Sequence, residues 1–212
     1  MTDNYRFDNR ASEQEITAHR AIVDHLRALN RLAITLHGEH SELQQLAEQT
    51  AQLVADYTQH DKHRLREYFA PLTQLARREG LQPYAPFGGS HNPITPMLHY
   101  HVEGDTVIAE GTFDLTHEGP IGCLHGGMIA GIYDCVLAAA MVLNQCGGPT
   151  AQLNIRYISP TPLHQPLRFS SRVARIDGKK VFIEGACHHG ETLLSTAEAI
   201  FINNHKKAET TS

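Results

Sequence analysis

The stretch His125-Gly-Gly-Met-Ile-Ala-Gly-Ile-Tyr-Asp134-Cys-Val-Leu-Ala-Ala-Ala-Met-Val-Leu143 decides how this chain is read. It is apolar nearly all round, as a helix enclosed by other structure must be. Asp134 is the only formally charged residue between Glu118 and Arg156. A carboxylate in such a segment needs compensation or a shifted pKa, because an unpaired buried charge is costly. At the front end, His125-Gly126-Gly127 would present free backbone N–H groups at a helix start, where the macrodipole favours negative charge. An anion-stabilising helix start and a lone carboxylate on one element would be the two halves of a hydrolytic site.

Outward from this helix the texture is β. Leu98–Glu103 and Thr106–Leu115 are expected strands joined at Gly104-Asp105. Four more are expected at 150–158, 167–176, 180–188 and 191–203, the last three forming a meander through Asp177-Gly178 and Gly190. The chain is therefore expected to be α+β, an antiparallel sheet wrapped around one central helix.

Before this domain, residues 12–59 carry an amphipathic stripe: Ile22, Leu26, Leu29, Ala33 and Leu36, then Leu43, Leu46, Leu53, Val54 and Tyr57 after a break at Gly38. Ser12 and Glu15 form a candidate capping box. An αα-hairpin with one sticky face follows, and a third short helix is expected at about 61–79. The organisation is then a helical extension at 1–80, a Pro/Gly linker at 81–96, the domain at 97–205 and a disordered tail at 206–212. The stripe is expected to dock on the domain core or on its dimer partner.

Composition narrows the function. The net charge of −5 over 212 residues gives no electrostatic case for nucleic acid or an anionic membrane. No signal peptide or transmembrane segment is evident at this level. Four cysteines without a Cys-x-x-Cys pattern suggest reduced thiols and a cytoplasmic location. Among fifteen histidines, His99 with His101 and His188 with His189 could each offer two ligands to a metal. Neither pair has a carboxylate or cysteine partner at ligand spacing, so no metal and no cofactor is expected.

Glu118-Gly119-Pro120, His125-Gly126-Gly127 and Asp134 together resemble the hotdog-fold acyl-coenzyme A thioesterases of the PaaI type, within them the subgroup of thioesterase superfamily members 4 and 5. Further along, Thr150-Ala-x-Leu153-Asn154-Ile155-x-Tyr157, Pro160-Thr-Pro162-Leu163, Gly178-Lys179-Lys180 and Ala197-Glu198-Ala199 fit the same pattern. Asn92-Pro93-Ile94-Thr95-Pro96 resembles the segment leading into the domain. The resemblance covers about 90–203 and leaves the N-terminal helices outside.

What it implies is hydrolysis of acyl-coenzyme A, a fatty-acid type of metabolism, and a homodimer or dimer of dimers with composite sites. Gly126 and Asp134 lie about 12 Å apart along a helix, so one thioester would meet Gly126 of one subunit and Asp134 of another. Gly127 and Gly131 would let the elements at that junction approach closely. In this reading the Gly126 N–H stabilises the oxyanion, and Asp134 acts as general base or as nucleophile. Thr150 orients the water or the carboxylate, or is an ordinary strand residue. His125 positions the helix start or shuttles a proton.

Gly119 stands where some relatives carry an Asn or Gln that holds the thioester carbonyl, and His117 or Glu118 could substitute for it. Gly127, Gly119, Asn154, Arg156, Lys179 and Lys180 are the candidate substrate-binding residues, with Arg175 a further candidate for the coenzyme phosphates. Two alternatives use the same scaffold. One is a non-catalytic acyl-coenzyme A binding protein whose helical extension recruits a partner. The other is a dehydratase, whose Asp/His pair in another segment is not evident.

Overall fold

In the computed structural model of this chain, residues 12–58 and 85–204 are described. The chain divides into two compact units, Met1–Ala70 and Pro71–Ser212. The expected helix at 61–79 and the tail at 206–212 lie outside the described residues.

In the first unit, α1 spans Glu13–Thr35 and α2 spans His40–Tyr57. The capping box at Ser12 forms as expected: the Glu15 N–H donates to Ser12 Oγ at 3.2 Å, and the Ser12 N–H donates to Glu15 Oε2 at 2.6 Å. Leu36–Glu39 breaks the helix, and Glu42 accepts from the Glu39 N–H to open α2. Most of the apolar stripe is exposed along the two helices. Val23 is the only buried residue of α1, α2 has none, and Ile22, Leu26, Leu36, Leu43, Leu53, Val54 and Tyr57 are exposed.

The second unit holds β1 (His99–Glu103), β2 (Thr106–Thr112), helix α3 (Gly126–Leu143), β3 (Thr150–Tyr157), β4 (Pro166–Asp177), β5 (Lys180–His189) and β6 (Thr192–Ile202). The strands form one antiparallel sheet in the order β1-β2-β4-β5-β6-β3. Gly178 and Gly190, with φ of 57° and 54°, make the two turns of the meander, where a left-handed residue is needed. The second strand is shorter than expected. After Thr112 the chain leaves the sheet, and a 3-10 turn at Leu115–His117 is capped by Asp114.

The sheet wraps α3, which is the hotdog arrangement. Ile129, Ile132, Tyr133, Val136, Leu137, Ala139, Ala140 and Met141 are buried against it. Thus α3, though long and apolar enough by composition to cross a membrane, is the core helix of this domain. The helix can approach because β5 has no side chain at Gly185, where a Cβ would lie 3.1 Å from Leu137 Cδ2 and 2.7 Å from the Ser170 carbonyl oxygen. Two polar ties fix the rotation of α3. Tyr133 donates its hydroxyl to the Ser195 carbonyl at 2.9 Å, and Ser171 Oγ donates to the Val136 carbonyl at 2.7 Å.

Residues 85–96 are irregular, as five prolines and glycines demand, yet they are packed and not a free linker. His91 and Thr95 are buried, and Thr95 Oγ1 donates to the Ala85 carbonyl. Phe87 lies on Gly131, where a Cβ would come within 2.5 Å of its ring. Gly131 therefore makes room for an aromatic ring of its own chain.

Candidate active site

Both halves of the expected site sit on α3, and each is held by one end of β3. At the C-terminal end of β3, residues 157–163 clamp the loop that leads into the helix. The Leu124 N–H donates to the Thr161 carbonyl at 2.8 Å, the Leu163 N–H to the Gly122 carbonyl at 3.0 Å, and Tyr157 Oη to the Gly126 carbonyl at 2.9 Å. The loop is tied internally as well. Gly119 N–H donates to the Cys123 carbonyl, and Gly122 N–H to Glu118 Oε1. Gly119 has no room for a side chain, since a Cβ would lie 2.8 Å from His125 Cα. The absent amide at this position is thus a packing requirement of this loop.

His125 is the N-cap of α3. Its Nδ1 accepts the Gly127 N–H at 2.9 Å, while its own N–H donates to the His117 carbonyl at 2.9 Å. Among the described residues, no acceptor takes the Gly126 N–H. One donor at the positive end of the helix is left for an incoming anion or carbonyl oxygen.

Neither His117 nor Glu118 is aimed at that donor. Glu118 caps Gly122. His117 packs edge-on against Phe113 at 5.7 Å, with Thr116 Oγ1 3.1 Å from its Nδ1. Burial holds the His117 pKa below its ordinary 6.5, against the opposing charge of Asp114. A depressed folded-state pKa means that the unfolded chain takes up this proton first as pH falls. Stability is then lost on acidification from about pH 6.5 down to the folded value. His117→Gln should lack that loss, so urea unfolding should show wild type weakening relative to the variant between about pH 7.5 and 5.5. A pH-independent difference between the two would contradict the assignment.

At the other end of β3, Thr150 Oγ1 donates to Asp134 Oδ1 at 2.7 Å. This contact depends on a β-bulge. Leu153 and Ile155 pack on the core and pair with Ala199 and Ala197, so strand alternation alone would turn Thr150 to the opposite face. The register shifts between Thr150 and Gln152, leaving Ala151 as the extra residue and Thr150 opposite Phe201, on the helix side. Asp134 itself is exposed in the single chain, not buried as its apolar neighbours suggested. Next to it, burial and then the Asp134 charge push the Cys135 thiol up to about 12, so it stays protonated. Cys123, Cys135, Cys146 and Cys187 are all free thiols.

The remaining candidates are spread over the domain. Gly127 is at the helix start, with its N–H already taken by His125. Asn154 and Arg156 alternate with Leu153 and Ile155 and so lie on the sheet face away from α3. Lys179 and Lys180 are at the β4–β5 turn. Lys180 pairs with Ile202, and the neighbouring Phe201 pairs with Thr150, which puts that turn at the Thr150 end of the sheet, two strands or about 10 Å away. Arg175 stacks on Phe182 at 3.5 Å and lies 3.7 Å from Asp177. His101 meets Glu103, and His189 meets the Pro166 carbonyl. No group of three metal-ligating side chains occurs among the described residues.

A six-stranded antiparallel sheet around an apolar helix, with a free N–H at the helix start and a carboxylate two turns on, defines the hotdog class. The thioesterase superfamily model matches residues 121–196, and this segment of the chain is a thioesterase superfamily domain. Acyl-coenzyme A thioesterase THEM4 of Xenopus laevis is 41% identical over 88 residues, covering 40% of this chain and 39% of that protein. Acyl-coenzyme A thioesterase 13 of Homo sapiens is 31% identical over 71 residues, covering 32% of this chain and 51% of that protein. The chain thus spans about two fifths to one half of the length of these curated relatives. A crystal structure of a thioesterase superfamily protein aligns with a TM-score of 0.74 at 26% identity, over 87% of this chain and 90% of that one. That coverage is more than residues 85–204 account for, so the N-terminal part has a counterpart there too.

Proposed function

We propose that the protein hydrolyses acyl-coenzyme A thioesters at a site shared by two copies of the chain. The observation that carries this reading is the Thr150–Asp134 hydrogen bond of 2.7 Å, set about 12 Å along α3 from the unclaimed Gly126 N–H. One chain supplies the carboxylate and its hydroxyl; a second supplies the helix start.

The thioester carbonyl oxygen is received by the Gly126 N–H, which strengthens its hold as negative charge develops there. Water adds to the carbonyl carbon while Asp134 takes its proton. The tetrahedral intermediate then collapses with cleavage of the C–S bond, giving the free acid and coenzyme A. The leaving thiolate, with a thiol pKa of about 8.5, departs without a strong general acid. Direct attack by Asp134 would give an anhydride that water then opens. Thr150 donates to one carboxylate oxygen, which leaves the other to meet water and supports the general-base route. No cofactor enters either sequence. Lys179 and Lys180, exposed at the Thr150 end, are available to coenzyme phosphates. Four free cysteines fit the reducing, cytoplasmic setting proposed for the protein.

The test is release of free thiol from a panel of acetyl, octanoyl, palmitoyl and benzoyl coenzyme A. Turnover of at least one ester is expected. Binding without thiol release would instead favour the acyl-coenzyme A binding protein with a partner-recruiting extension, for which the exposed stripe of α1 and α2 is suggestive. Thr150→Val, which keeps the branched shape and loses the hydroxyl, should lower kcat about tenfold, the scale of one hydrogen bond to a charged group. An unchanged kcat would leave Thr150 an ordinary strand residue.

A further inference from the structure

We infer that Tyr157 is a positioning residue for the Gly126 N–H, an inference that rests on the thioesterase reading above. Glycine at the first position of α3 has no side chain to hold its peptide planes, and its backbone is the most permissive of any residue. A donor that acts by preorganisation must be held from outside. On the N-terminal side His125 does this, with its own N–H on the His117 carbonyl and its Nδ1 on the Gly127 N–H. On the other side stands Tyr157. Its hydroxyl donates to the Gly126 carbonyl at 2.9 Å, and its ring lies 3.6 to 3.7 Å from where a Gly126 Cβ would be.

Two features separate this contact from ordinary packing. Tyr157 is 53% exposed, whereas Leu153 and Ile155 on the same face of β3 pack on the core. Its ring therefore contributes little as a core residue. The Gly126 carbonyl, being in the first turn of α3, already faces the helical N–H four residues on, so satisfying it does not require a phenol. What the hydroxyl adds is a fixed orientation of the residue that presents the donor. Because the phenol sits at the end of β3, the strand whose other end carries Thr150 on Asp134, one element sets both parts of the chemistry.

The experiment is Tyr157→Phe in the full chain, which keeps the ring and removes only the hydroxyl. The kcat for the best ester of the panel should fall about tenfold with KM within about twofold, because the lost restraint bears on the transition state more than on binding. The thermal midpoint should match wild type. A kcat within about twofold of wild type overturns the proposal, as does a loss confined to KM or tracking a lowered midpoint. Gly126→Pro and Asp134→Asn are assayed alongside. If both lose turnover and Tyr157→Phe does not, only the role of Tyr157 falls. If both retain full turnover, or wild type releases no thiol from any ester, the thioesterase reading falls and takes this inference with it.

Discussion

Asp134→Asn should reduce turnover about a thousandfold, the range for removing a positioned general base, while leaving the fold intact. The amide oxygen can still accept from Thr150 Oγ1, so the 2.7 Å contact that anchors β3 to α3 survives the change. Asp134 is exposed in the single chain, so no gain in monomer stability is expected from removing its charge. A steady-state thiol-release assay with a thermal melt on the same sample separates the two effects. Turnover close to wild type in Asp134→Asn would remove this carboxylate from the mechanism.

The second large effect concerns the other half of the site. Gly126→Pro deletes the donor with little disturbance. Proline is favoured at the first position of a helix, and the preceding residue must be extended. His125 already is, with φ −62° and ψ 134°. A Cβ at 126 meets the Tyr157 ring only at ordinary contact distance. Loss of the single N–H should cost about a hundredfold or more in kcat. Mixing this variant with Asp134→Asn then tests whether the site is shared. Random reassociation makes half of the dimers mixed, each with one intact site of two, so activity should return to about a quarter of wild type. No recovery, with mixed dimers demonstrated by mass spectrometry, would show that each chain works alone.

The sequence made the domain legible because its signals were local and redundant. An apolar run bounded by His-Gly-Gly and Gly147-Gly148 reads as an enclosed helix, and the strands of the meander end where Asp177-Gly178 and Gly190 call for turns. Asp134 stood out as the lone charge of an apolar run, and Thr150 through spacing against a known family pattern. Their contact could not be derived from periodicity, because strand alternation places Thr150 on the wrong face and the bulge that corrects it has no residue signature in Thr150-Ala-Gln152. Tyr157 was visible only as a motif letter. Its function depends on a carbonyl 31 residues away in sequence, which no local signal reports. The packed segment at 85–96 was misjudged for a related reason. Proline and glycine exclude regular structure, but they do not exclude burial, and Phe87 needed only the notch at Gly131 to dock.

The bulge at Ala151 also loosens a constraint on how this chain can change over time. With Ala151 displaced, Thr150 occupies the position opposite Phe201 that an uninterrupted ladder would give to the residue next to Gln152. Losing Ala151 would close the ladder and leave the same hydroxyl facing the same carboxylate. The separation between the threonine and the rest of the strand is thus set by bookkeeping of the ladder, not by chemistry. One residue can thus be lost at this point of the strand without moving the hydroxyl from the carboxylate, and a chain shortened there would carry its threonine one residue closer to Tyr157.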